Sequence, residues 1–169
     1  MSYDFNNVNV LVVESSTAMY QLIKGVLTML SIPQKNIHAA YDLDEAFEKF
    51  CTMKHDIILS DWLNNPDHGI QLTKKVRTHP NSPDKYVPII MTAGSGHYSR
   101  VISARDSGIS EYLVKPFAAG DLAKRIVRVI EAPKIFVTSD AYSGPDRRVR
   151  EVPYKGPDRR KPPPELVYE

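Results

Sequence analysis

The chain has 169 residues, 42% hydrophobic and 25% charged, a soluble globular composition with room for one domain and an extension. Its net charge of +2 is unevenly spread: residues 1–132 carry 14 Lys+Arg against 14 Asp+Glu, residues 133–169 carry 8 against 6, and residues 144–161 carry 7 against 3. No apolar run approaches the roughly 18 residues of a transmembrane helix, and the N-terminus lacks the basic and apolar regions of a signal peptide, so a cytoplasmic protein is expected.

Val8 to Val13 is a short β-branched run, the mark of a strand buried on both faces of a parallel sheet. A helix follows, capped by Ser15, Ser16 or Thr17, with Leu22, Ile23, Val26, Leu27 and Leu30 at helical spacing up to Pro33. Asn36–Ala40 reads as a weak strand and Asp42–Met53 as an amphipathic helix. Within it the single Cys51 rules out an internal disulfide, suits a reducing compartment and is read as core or near-core packing beside Leu43, Ala46, Phe47 and Phe50. The alternation continues with a strand at 56–60 ending at Asp61, a helix at 70–78, a strand at 87–91, a helix at 98–107 closed by Gly108, a strand at 111–114 and a helix at 121–131. Five strands alternating with five helices predict an α/β, doubly wound, five-stranded parallel sheet over residues 1–132. Polar groups for function then collect outside the carboxyl ends of the strands: Glu14 and Ser15, Asp61, Thr92 and Lys115. The five histidines show no ligand spacing and are read as surface residues. Lys74-Lys75 and Lys124-Arg125 are read as solvated helix faces.

Four segments, Leu11-Val12-Val13-Glu14-Ser15, Ile58-Leu59-Ser60-Asp61-Trp62, Ile90-Met91-Thr92-Ala93-Gly94 and Tyr112-Leu113-Val114-Lys115-Pro116-Phe117, resemble in this order the receiver domains of bacterial response regulators, in particular the single-domain chemotaxis type. The resemblance covers about residues 7–132 and implies the flavodoxin-like fold. It implies Asp61 as a phosphoacceptor served by a histidine kinase and helped by Mg²⁺, Thr92 and Lys115 as holders of the phosphoryl oxygens, and Tyr112 as the aromatic of the switch. It places the metal at Glu14, Asp61 and Leu63, with Ser15 where the family usually has a second acidic residue, which weakens the site for a hard cation. Chemistry agrees with these residue types, since a carboxylate attacks a charged phosphoryl donor only when a metal and an ammonium neutralise the developing charge. The plain alternative is a structural Asp61–Lys115 ion pair in an inherited pocket.

Seven of the thirteen prolines lie from Pro133 on. Lys134 to Thr138 is strand-like, and from Ser139 onward no folding signal remains, so residues 133–169 are expected to form a disordered basic tail. Within it Tyr142-Ser143-Gly144-Pro145-Asp146-Arg147-Arg148 returns twelve residues later as Tyr154-Lys155-Gly156-Pro157-Asp158-Arg159-Arg160, with six of seven positions matched. One copy would pass as a turn; two copies point to a ligand that presents the same surface twice. Arg147, Arg148, Arg159 and Arg160 can grip phosphate or the O6/N7 edge of guanine and stack on a base, with Arg150 and Lys155 as extra charges. Asp146 and Asp158 would be repelled by phosphate, yet can accept from the N1 and N2 donors of guanine. Tyr142 and Tyr154 can stack, and Gly144 and Gly156 with their prolines shape the turn. A nucleic-acid ligand is disfavoured, because phosphate attraction needs none of these aspartates.

A guanine-rich, phosphorylated, two-fold symmetric ligand describes cyclic di-GMP. The duplicated tail on a receiver body also resembles the Cle proteins, which implies cyclic di-GMP as the ligand and the flagellar motor switch as the partner, with recruitment to the flagellated pole. The expected protein is a second-messenger effector and not an enzyme; the alternative is a conventional switch phosphorylated at Asp61.

Overall fold

The computed structural model describes residues 4–63, 67–94 and 96–147, and the backbone of 165–167. Five strands, β1 (Val10–Val13), β2 (Ile37–Ala40), β3 (Ile57–Asp61), β4 (Ile89–Ala93) and β5 (Glu111–Val114), form one parallel sheet in the order β2-β1-β3-β4-β5. Five helices connect them: α1 (Thr17–Met29), α2 (Leu43–Thr52), α3 (His68–Thr78), α4 (Tyr98–Ser107) and α5 (Ala119–Glu131).

The continuous apolar runs of β1, β3 and β4 follow from burial on both faces. Val10, Val12, Ile57 and Leu59 pack with Ile23 and Leu27 of α1 and Leu122 and Ile126 of α5. The alternate residues Leu11, Val13, Ile58 and Met91 pack with Phe47 and Phe50 of α2 and Leu72 and Val76 of α3. This is the period-two alternation of a strand read out by two helical layers. Local signals set the helix ends. Of the three residues offered as a cap for α1, Ser16 accepts from the Met19 amide, while Asp42 caps α2 and Glu45 reaches back to the Tyr41 amide, a reciprocal arrangement that satisfies two orphan donors. Gly108 ends α4 at φ 104°, where a Cβ is disfavoured.

Three expectations are corrected. Cys51 is exposed, because Ala46, Phe47 and Phe50 take the inward stripe of α2 and the next residue turns away; its thiol lies 3.4 Å from the Asn81 carbonyl. His55 is buried, with Nε2 3.0 Å from His38 Nδ1. Burial first, and the neighbouring His38 second, push its pKa down to about 4. The chain also does not lose structure at Ser139. Strands β6 (Phe136–Ser139) and β7 (Tyr142–Pro145) form an antiparallel hairpin, and β8 (Glu165–Val167) pairs with the other edge of β6. No hydrophobic period announces β7, whose backbone bonds go to β6 and whose Gly144 lies against Gly108.

Candidate functional site

The carboxyl ends of β1, β3, β4 and β5 bring Glu14, Asp61, Thr92 and Lys115 together. Asp61 closes β3 and stands opposite Thr92 in the parallel register, and Lys115 follows β5 with its amide bonded to the Ala93 carbonyl. Lys115 Nζ bridges the carboxylates, 2.8 Å from Asp61 Oδ1 and 2.7 Å from Glu14 Oε2. The second oxygens accept main-chain donors: Asp61 Oδ2 from Leu63 N at 3.0 Å and Glu14 Oε1 from Ser16 N at 2.8 Å. Burial alone would lower the Lys115 ammonium, but its hydrogen bonds to Asp61 and Glu14 outweigh that and hold its pKa above the ordinary lysine value. The pocket is partly closed to water, with the Lys115 side chain 19% and the Asp61 side chain 11% exposed.

Thr92 Oγ1 is buried and has no hydrogen-bond partner among the described residues. A buried hydroxyl without a partner costs free energy, and this one lies on the strand beside Asp61. Tyr112 is half-buried on β5 and packs against the core face shared by α2 and α3; burial raises its phenol pKa although Arg100 opposes the shift. Ser15 is exposed, so two carboxylates, Glu14 and Asp61, supply the anionic oxygens. Among the described residues no group of three or more His, Cys, Asp or Glu gathers as a metal cage. These donors are of the hard-oxygen type magnesium takes, one carboxylate short of the family pattern and shared with an ammonium.

The tail residues sit elsewhere. The C-termini of α3 and α4 return the chain to the amino ends of β4 and β5, about 16 Å from the pocket for a strand of five residues, and there β7 lies against both helices. Arg77, at the end of α3, is 1% exposed and donates to the carbonyls of Gly108, Lys85 and Val87. Burial lowers its pKa to about 9, and its guanidinium lies 5.0 Å from the Phe136 ring of β6. A Cβ on Gly144 would fall 2.8 Å from Gly108 Cα and 2.6 Å from the Tyr142 hydroxyl. That hydroxyl donates to the Pro145 carbonyl at 2.7 Å. Arg147 stacks over the Tyr142 ring at 4.1 Å and pairs with Asp106 of α4 at 2.8 Å. The Asp146 amide bonds to the Ile135 carbonyl. Arg148, Arg150, Tyr154, Gly156, Asp158, Arg159 and Arg160 lie outside the described residues.

Sequence reasoning thus found the pocket and missed the floor beneath the first repeat: Arg77, Asp106 and Gly108. Gly108 was read as a helix stop, which it is; nothing local marked it as the surface on which Gly144 rests.

The response regulator receiver domain family matches residues 10–127, and the chain belongs to that family. It is 34% identical over 122 residues to chemotaxis protein CheY1 of Helicobacter pylori, covering 71% of this chain and 94% of that one. Among solved structures, a response regulator from Chloroflexus aurantiacus aligns with a TM-score of 0.65 and 26% identity over 73% of this chain and 98% of its own. The receiver domain of a sensor histidine kinase from Pseudomonas aeruginosa PAO1 aligns with a TM-score of 0.64 and 25% identity over 74% and 98%, and it carries a magnesium ion coordinated in its active-site cleft. The chain is a CheY-like receiver with a C-terminal extension, and no described helix is long and apolar enough to cross a membrane.

Proposed function

We propose that the extension makes this receiver a cyclic di-GMP effector. The two repeats clamp the dinucleotide, taken as a dimer, and the ligated tail favours docking of the receiver on the flagellar motor switch at the flagellated pole, tuning motility or surface attachment. The observation that carries this reading is the first repeat itself, where a planar guanidinium rests on an aromatic ring, Arg147 on Tyr142, at the end of a motif used twice. A preset flat cation loses less freedom on binding a phosphate or stacking on a base than a free side chain would. Asp146 and Asp158 supply the guanine-edge acceptors, and Arg148, Arg159 and Arg160 the phosphate contacts.

Calorimetry on the full chain tests it. Cyclic di-GMP should bind far more tightly than GMP, and Asp146→Ala with Asp158→Ala should abolish binding although the tail becomes more basic. Equal affinity for the two nucleotides, or binding that survives the double change and falls steeply with salt, would refute the guanine reading.

A second reading is favoured by the buried Thr92 hydroxyl, which has no acceptor or donor among the described residues. In this reading Asp61 attacks a phosphoryl donor such as a phosphohistidine of a histidine kinase, an acylphosphate forms, and the donor leaves with the electron pair of the broken bond. Thr92 then gives a hydrogen bond to a phosphoryl oxygen, and Lys115 shifts its ammonium from the carboxylates to the new charge. Magnesium, where bound, would be held by Glu14, Asp61 and the main chain of Leu63, and supplies charge neutralisation. Incubation with Mg²⁺ and acetyl phosphate should add one phosphoryl group by mass, and Asp61→Asn should prevent it; a chain that stays unmodified removes this reading.

A further inference from the structure

The lower end of the receiver, at Arg77, Asp106 and Gly108, receives the first copy of the repeat. We propose that this floor is a peptide-binding site for the motif Tyr-x-Gly-Pro-Asp-Arg, and that the second copy, residues 154–159, competes for it with the first. The proposal goes beyond ligand binding and stands without it.

Every side-chain contact that seats the first copy is made by a position the copies share. The Tyr142 hydroxyl closes on the Pro145 carbonyl. Gly144 leaves no room for a Cβ between Gly108 and that hydroxyl. The Asp146 amide ties the strand end to Ile135, and Arg147 reaches Asp106 across the Tyr142 ring. The one position that differs is Ser143 against Lys155. Tyr142 and Gly144 share a face, so strand alternation puts residue 143 on the opposite one, and its contribution to the floor is its carbonyl, close to Gly108. Any residue supplies that carbonyl. A second copy in place of the first would put Gly156 over Gly108 and Arg159 beside Asp106.

Chain length permits the exchange and ranks the two states. With the first copy seated, two residues join β6 to β7, from Ser139 to Tyr142; with the second, residues 140–153 would form the connection. A sevenfold longer loop closes less readily by about 7 to the power 3/2, roughly twentyfold, so the first copy holds the floor in the resting chain. Five residues, 160–164, would remain to lead back to β8. The six steps from 159 to 165 reach about 20 Å at about 3.3 Å each, against about 10 Å for two strand spacings across the sheet and about 13 Å along it.

The exchange is read from the amide signals of Asp106 and Gly108 in two-dimensional NMR of the full chain, as wild type, Gly144→Val, Gly156→Val and the double variant. A valine at 144 cannot take the seat, because its Cβ alone would fall 2.8 Å from Gly108 Cα. The expected result is that Gly156→Val matches wild type, that Gly144→Val gives floor signals displaced from wild type yet distinct from the double variant, and that the double variant moves the rest of the way. Coincidence of Gly144→Val with the double variant would show that the second copy has no affinity for the floor and overturns the proposal. Coincidence of all four overturns it as well, since the glycine would then not govern the seat. Unchanged amides of β1 and β3 in every variant establish that the receiver stays folded.

Discussion

The two sheets of this molecule are held by different physics. The five-stranded sheet is covered on both faces by helices, and its stability comes from the burial of Val10–Val13, Ile57–Leu59 and Ile89–Met91, an area-proportional effect indifferent to the identity of any one contact. Among the described residues the three-stranded sheet at the lower end has Phe136 as its buried apolar anchor and adds specific seats: a glycine against a glycine, a phenol on a carbonyl, a guanidinium on a carboxylate. The first sheet tolerates volume-conserving change and yields slowly. In the second each seat is worth little alone, so it is expected to open before the first.

The largest expected effect falls where the two regions meet. Arg77→Met should leave the carbonyls of Gly108, Lys85 and Val87 without their donor and cost about 3–4 kcal/mol, at 1–3 kcal/mol per stranded group less what water recovers; urea denaturation measures it, and a loss below 1 kcal/mol would mean that the buried guanidinium is replaceable by packing. Phe136→Ala should cost about 3 kcal/mol, the low end for a buried phenylalanine at a site that borders solvent, confined to the small sheet. Hydrogen exchange would then show faster amides at Val137 and Gly144 while β1 and β3 keep their protection; equal loss in both would make the two sheets one cooperative unit.

The His38–His55 pair concerns the large sheet alone. The folded pKa of His55, about 4, lies below the ordinary value near 6.5, so the folded chain keeps this imidazole neutral. Its contribution is therefore present above about pH 6.5 and is lost as pH falls from there towards 4. The melting temperature should decline over that window, and His55→Phe should flatten the decline. The smallest effect is expected at the tail's ion pair. Asp106→Asn breaks a partly exposed contact worth about 0.5 kcal/mol, and should raise the affinity of Arg147 for a phosphate ligand about twofold by removing an internal competitor. A drop in calorimetric affinity would instead make Asp106 part of the ligand seat.

The difference in physics is also the difference in legibility. The body could be read because burial writes itself into sequence as period: runs such as Val-Leu-Val-Val and Ile-Ile-Leu-Ser, and stripes such as Leu122, Ile126 and Val129. The pocket followed, since strand ends have sequence addresses and a parallel sheet brings those ends together. His55 escaped because a lone polar residue before a strand looks the same whether it faces water or His38. Cys51 was misplaced by a single step around α2, about 100° of turn, from the buried Phe50. β6 shows as the strand-like run Lys134 to Thr138, but its partner β7 escaped because polar seats have no period.

The sequence by itself determined the order of elements, the chemistry at the carboxyl ends of the strands and the existence of a duplicated motif, all local or periodic properties of the chain. Only the tertiary structure decided what the first copy of that motif rests on. Arg77 comes from α3, Asp106 and Gly108 from α4, and Gly144 from the tail, and their closeness is a product of folding: three segments distant along the chain meet where the helices return to the amino ends of β4 and β5.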